Sequence, residues 1–162
     1  MSLFTVSDGT TLSGGWIFAN TFSGDHVNAV RVLVTEDGIV QSGFAIERNT
    51  ISGADTGIEV SATGGGGNPL DVASAACAVR ANSVTGDAGP ASVGLRLSAA
   101  IGVIDEGARV SSRIEFNEIQ NCGTAVRIVT VNDLGNLADA ISDFYGNVFA
   151  DDPVSIYVDD AV

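Results

Sequence analysis

The sequence predicts an all-β protein, a single domain over residues 1–162 wound as a solenoid of about five coils with long inter-coil loops. Three observations predict it. One segment pattern is written five times around an Asn. Inside each copy the apolar residues alternate at the two-residue period of a strand. The composition is that of strands and turns, with 20 Gly, 3 Pro, and Val- and Ile-rich runs broken by Gly, Asn, Asp, Ser and Thr.

The five segments are "WIFANTFSGDHVNAVRVLV", "FAIERNTISGADTGIEVS", "CAVRANSVTGDAGPASVGLRLS", "SRIEFNEIQNCGTAVRIV" and "SDFYGNVFADDPVSIYV". They place coils near 16–34, 44–61, 77–98, 112–129 and 142–158. Their anchors are Asn20, Asn49, Asn82, Asn117 and Asn147, spaced 29, 33, 35 and 30 residues apart. An apolar residue sits three positions before each anchor: Ile17, Ile46, Val79, Ile114, Phe144. Another sits two positions after: Phe22, Ile51, Val84, Ile119, Phe149. An apolar-x-apolar pair closes each unit: Val30/Val32, Ile58/Val60, Leu95/Leu97, Val126/Ile128, Ile156/Val158. One unit cannot bury its apolar face alone. Stacking units at ~4.8 Å turns each apolar position into an interior column, ~20 Å tall for five coils.

The "N-x-[apolar]" bend followed by "G-[apolar]-x-[apolar]", as in "NTISGADTGIEV", resembles the right-handed parallel β-helix of pectate lyases, polygalacturonases and phage tailspikes. The resemblance covers roughly residues 16 to 158 and implies the fold, not a function. Asn suits the bend because it tolerates the left-handed backbone region, and stacked Asn side chains can hydrogen-bond along a column. The five anchors are therefore expected to be structural.

Two columns face outward. One reads Phe18, Glu47, Arg80, Glu115, Tyr145, with alternating charge in its middle; the other reads Arg31, Glu59, Arg96, Arg127, Tyr157. Exposed ion pairs between coils are worth only ~0.2–1 kcal/mol each. Segments 61–75, 98–111 and 130–142 are expected to be loops. The last two are apolar for loops, and a helical turn in "DLGNLADAIS" would gather Leu134, Leu137 and Ile141 on one side. Trp16, Phe18, Tyr145, Tyr157, Leu134, Leu137 and Ile141 form the candidate interface. A short solenoid exposes strand edges and core side chains at both ends, and only "TVSDGTTLSGG" stands before Trp16 as a thin cap.

The resemblance brings a test for catalysis. Polygalacturonases carry Asn-Thr-Asp, Asp-Asp, Gly-His-Gly and Arg-Ile-Lys. Here the first becomes "NTF" and "NTI", and Asp151-Asp152 precedes Pro153. His26 lies in "SGDHVN", and "VRIVT" holds Arg127 without Lys. These pieces fall on different coils. A lyase-like arrangement would use Arg96 and Arg127 beside Glu59, but no acidic cluster completes a calcium site. No catalytic, metal or cofactor site is expected, and the two cysteines, Cys77 and Cys122, are expected to be buried hydrophobes.

Twenty acidic residues oppose seven basic ones, all Arg, for a net charge of −13. Such a surface repels phosphate backbones and argues against nucleic-acid partners. No run approaches the ~20 apolar residues of a membrane span. With 45% hydrophobic residues and a mean hydropathy of +0.30, the chain is too apolar for disorder. The start shows no secretory signal, so synthesis in the cytoplasm is expected. These features point to a non-enzymatic structural protein, a homotrimer assembled on a larger particle. A phage virion is the setting expected, as a capsid decoration (cement) protein or tail appendage. The alternative is a carbohydrate-binding or carbohydrate-active module on surface polysaccharide.

Overall fold

The computed structural model describes residues 2–7, 10–35, 39–64, 72–101, 107–131 and 138–161. Fifteen strands and no helix occur among them. In chain order they are β1 (Ser2–Val6), β2 (Thr11–Leu12), β3 (Gly15–Phe18), β4 (Thr21–Thr35), β5 (Ile39–Glu47), β6 (Thr50–Gly64), β7 (Val72–Arg80) and β8 (Ser83–Thr85). Then follow β9 (Val93–Ile101), β10 (Gly107–Glu115), β11 (Glu118–Gln120), β12 (Thr124–Val131), β13 (Ala138–Tyr145), β14 (Val148–Ala150) and β15 (Val154–Ala161).

Each coil runs through three positions: a flank strand, a short strand after the Asn, and a long strand. The flank strands stack as β13-β10-β7-β5, with β2 and β3 both on β5. The other sheet holds the short strands β14-β11-β8 and the long strands β15-β12-β9, joined through β6 and then β4 and β1. β6 turns the corner within itself: Thr50–Ser52 pair with the short strand β8, and Ile58–Gly64 with the long strand β9. Every ladder is parallel, so the molecule is a parallel β-solenoid. Its five Asn anchors bound about four full turns.

The register builds the core. Ile17, Ile46, Val79, Ile114 and Phe144 form one inward column. Val30, Ile58, Leu95, Val126 and Ile156 form another, with Val32 to Val158 beside it. Along the chain these columns are buried through the third coil, with Ile128 partly buried on the fourth, and on the last coil Ile156 is 47% and Val158 63% exposed. The Gly before the apolar pair has a steric cause. A Cβ on Gly94 would sit 2.3 Å from Ile119 Cγ2, and one on Gly57 would sit 2.5 Å from Val84 Cγ1. At these two coils the interior has no room for a side chain, whereas the stacked positions before and after them hold the small buried Ala29 and Ala125.

Three expectations are corrected here. The described parts of the three expected loops are strand: β6 runs to Gly64, β9 to Ile101 and β12 to Val131, while β7, β10 and β13 begin at Val72, Gly107 and Ala138; residues 65–71, 102–106 and 132–137 lie outside the described residues. The alternation simply continues past the apolar pair, so Ala99, Ala108 and Val110 point inward and are buried. Second, Ile141 lies on β13 opposite Ser111, not on a helical turn; Leu134 and Leu137 lie outside the described residues. Third, the segment before Trp16 is more than a thin cap. β1 adds a sixth strand to the long-strand stack, pairing Ser2–Val6 with Val30–Val34.

Candidate functional site

The anchors form a continuous hydrogen-bonded ladder. The backbone N–H and the Nδ2 amide of Asn20 both donate to Asn49 Oδ1, at 3.0 and 3.1 Å. Asn49 donates to Asn82 Oδ1 in the same way, Asn82 to Asn117, and Asn117 to Asn147. Each Nδ2 also reaches back to a carbonyl one coil earlier: Asn49 to Ile17 O, Asn82 to Ile46 O, Asn117 to Val79 O, Asn147 to Ile114 O. Asn49, Asn82 and Asn117 are at most 2% exposed. An amide suits the site because it offers two acceptor lone pairs and two donors, and the ladder uses all four.

The left-handed residue at this bend is the one before the Asn, which corrects the reason given for Asn. Ala19, Arg48, Ala81, Phe116 and Gly146 have φ between 53° and 64°. Asn is there for its hydrogen bonds. Only one of the five preceding residues is Gly, so the other four are held in a conformation that costs an L-residue roughly 1–2 kcal/mol.

Both outward columns are in register. Arg31 Nε approaches Glu59 Oε2 at 3.0 Å, and Arg80 Nε approaches Glu47 Oε2 at 3.4 Å. Neither Nε has a hydrogen-bond partner, so these are charge contacts without a directed N–H. Arg127 Nη2 donates to Asp159 Oδ2 at 3.2 Å, and its guanidinium lies 5.6 Å from the Tyr157 ring centroid.

The candidate interface divides between faces. Trp16 heads a column on the flank sheet that continues through Ala45, Ala78, Arg113 and Asp143. Phe18 and Tyr145 head and end the neighbouring column, and Ile141 lies on the same sheet. Tyr157 stands apart on the long-strand face. Trp16 is 76% and Tyr145 66% exposed. Between them the small side chains of Ala76 and Ala78 leave a hollow of about 510 Å³, bordered by Arg80, Arg113, Glu115 and Asp143. The sequence reading missed two contributors to this edge. Phe116 meets the Tyr145 ring edge-to-face at 5.2 Å, and Arg48 lies 5.7 Å from the Phe18 centroid. Their signal was their place directly before an anchor, where the left-handed turn projects a side chain outward.

The chemistry-bearing pieces remain apart. His26 sits on β4 of the first coil, whereas Asp151 and Asp152 turn the corner of the last, four coils or ~19 Å along the axis. No group of three or more His, Cys, Asp or Glu converges on a metal position among the described residues. Asp152 is not merely a solvated turn residue. Its Oδ1 accepts the Cys122 N–H at 2.7 Å, while Oδ2 is buried without a partner. Burial raises its carboxyl pKa, against the lowering effect of the hydrogen bonds from Cys122 and Ala150. Cys77 and Cys122 are buried free thiols. Burial pushes Cys77 up to about 12 and Cys122 up to about 11, so neither is a ready nucleophile at neutral pH.

Fold and ladder together define a parallel β-solenoid with a polar spine and one aromatic-edged outer face. No protein-family model, curated protein or solved structure matches the chain.

Proposed function

We propose that this chain is a structural and interaction protein whose solenoid is completed by assembly. In this reading copies associate side by side as a homotrimer that docks on a larger particle. A phage virion is the proposed setting, with a tailspike- or decoration-like role. The supporting observation is that Trp16 and Phe18 on the first coil and Ile141 and Tyr145 on the last all face outward from one sheet, in a chain of net charge −13. Exposed apolar surface costs ~25 cal/mol per Å², and a cyclic arrangement covers it equally in every copy. The face also alternates acid and Arg, which favours one register between copies. Light scattering tests the reading: a trimer mass that Trp16→Glu returns to monomer supports it, and a folded monomer at all concentrations removes it.

The hollow over Ala76 and Ala78 favours a second reading, a polysaccharide-binding module of the pectate-lyase-like type. Its rim of Arg80, Arg113, Glu115 and Asp143 supplies donors and acceptors, with Ile141 as its apolar wall. Binding of acidic or neutral polysaccharide that Arg113→Ala abolishes, without change in mass, would favour this reading.

A further inference from the structure

We infer that the flank sheet carries one groove along the solenoid axis, and that its ligand is a neutral oligosaccharide stacked at one end on Trp16. The inference rests on the second reading above and narrows it to a ligand class and a second subsite.

Two hollows make the groove. One is the hollow of about 510 Å³ over Ala76 and Ala78. The other, of about 340 Å³, is lined by Trp16, Phe18, Glu47 and Arg80. Arg80 borders both, so the hollows are neighbours along the axis. The register gives the direction. Trp16, Ala45, Ala78, Arg113 and Asp143 follow one another coil by coil, and the two Ala leave the middle of the column low. Trp16 and Arg113 stand three coils apart, ~14 Å along the axis.

Both ends of the groove carry groups with nothing against them. Phe18 has the Arg48 guanidinium at 5.7 Å, Tyr157 has Arg127 at 5.6 Å, and Phe116 packs on Tyr145. The Trp16 ring has neither a cation nor a second ring against it among the described residues, and Trp16 is 76% exposed. An indole is apolar on its faces with one N–H at its edge. It matches a pyranose, which presents C–H groups on its faces and hydroxyls around its rim. At the other end the side chains of Arg113, Glu115 and Asp143 have no hydrogen-bond or ion-pair partner among the described residues.

Charge selects a neutral ligand. Three carboxylates, Glu47, Glu115 and Asp143, are interleaved with two guanidiniums, Arg80 and Arg113, so the groove favours neither sign strongly. The chain as a whole, at −13, repels polyanions. A ligand rich in hydroxyls needs no net field, and it can use donors and acceptors that alternate along its length.

The test uses the chain's only tryptophan as its reporter. The full chain is screened against an array of neutral and acidic oligosaccharides. Each one retained is then titrated while Trp16 emission and its quenching by acrylamide are followed. The expected result is a neutral oligosaccharide, long enough to span both hollows, that shifts the emission to the blue and shields Trp16 from acrylamide. Arg113→Ala is expected to weaken that response roughly tenfold, although it lies three coils from the reporter. Trp16→Ala should weaken binding by calorimetry by about the same factor. Both side chains are exposed, so circular dichroism should not change. No retained glycan overturns the inference and the second reading with it. A glycan that needs Arg113 yet leaves Trp16 open to acrylamide overturns the groove, while the reading of the hollow stands. Retention of acidic glycans alone overturns the ligand class. Trp16 shielded without any glycan, as mass rises with concentration, places a second copy on the ring and overturns the inference in favour of the assembly.

Discussion

Replacing Asn82 by Ala should be among the most damaging single truncations in the chain. Its Oδ1 accepts from the Asn49 N–H and Nδ2 at 3.0 Å each, and its Nδ2 donates to Ile46 O at 2.9 Å and Asn117 Oδ1 at 3.0 Å. Truncation removes four hydrogen bonds at a position 1% exposed, where water cannot replace the lost partner, although Asn117 Oδ1 keeps the residue-82 N–H and Asn49 Nδ2 keeps Ile17 O. At about 1 kcal/mol for each lost hydrogen bond, the cost is about 4 kcal/mol, a large part of the ~5–15 kcal/mol that a domain has. Asn20→Ala removes the outermost rung. The Asn20 side chain makes two of these contacts, to Phe18 O and Asn49 Oδ1, and its site is open to water. Its cost should be below about 1 kcal/mol. Urea unfolding of both variants measures the difference, with an unchanged slope required for the comparison. If Asn82→Ala and Asn20→Ala fall within 1 kcal/mol of each other, the ladder is not what holds the bend.

Other consequences follow from the backbone and the core. Ala81 holds φ 53°, so Ala81→Gly should raise stability by roughly 0.5–1 kcal/mol in the same unfolding assay. Gly94→Ala should cost ~1–3 kcal/mol, because the new methyl meets Ile119 Cγ2 and Ala125 O. Asp152 carries a pH dependence. Its folded pKa is raised above its ordinary value of 3.8, so the folded state holds this proton more tightly than the unfolded state. The stability it contributes is present below that value and is lost as pH rises through the raised folded pKa. Asp152→Asn should remove this component, seen as a shallower fall of melting temperature with pH than the unsubstituted chain shows.

The fold was legible because a solenoid writes its core at a fixed period. The Asn anchors and the apolar pairs named the columns that the register later paired. Strand ends were less legible. Reading the pair as the end of each strand turned Ser98–Ile101 and Gly107–Ser111 into loops, although Ala99 and Val110 carry the alternation onward. The role of Asn was half legible: its stacking could be read from the spacing, but not which residue at the bend takes the left-handed conformation. β1 was hidden because "SLFTV" lacks an anchor and its pairing partner lies almost thirty residues away. The interface candidates came from aromatic positions on the end coils and from the apolar residues of one expected loop. Sequence set Phe18 and Tyr145 in one outward column and Tyr157 in another, but not that the two columns lie on different sheets, since that division depends on where the corners fall.

The account rests on a solenoid that is completed by other copies. Its most direct test is the mass of the full chain in solution, by light scattering from sub-micromolar to high micromolar concentration. The account predicts a stable trimer, with Trp16→Glu lowering the mass while circular dichroism stays that of a β-protein. A well-folded monomer across the whole range would contradict it.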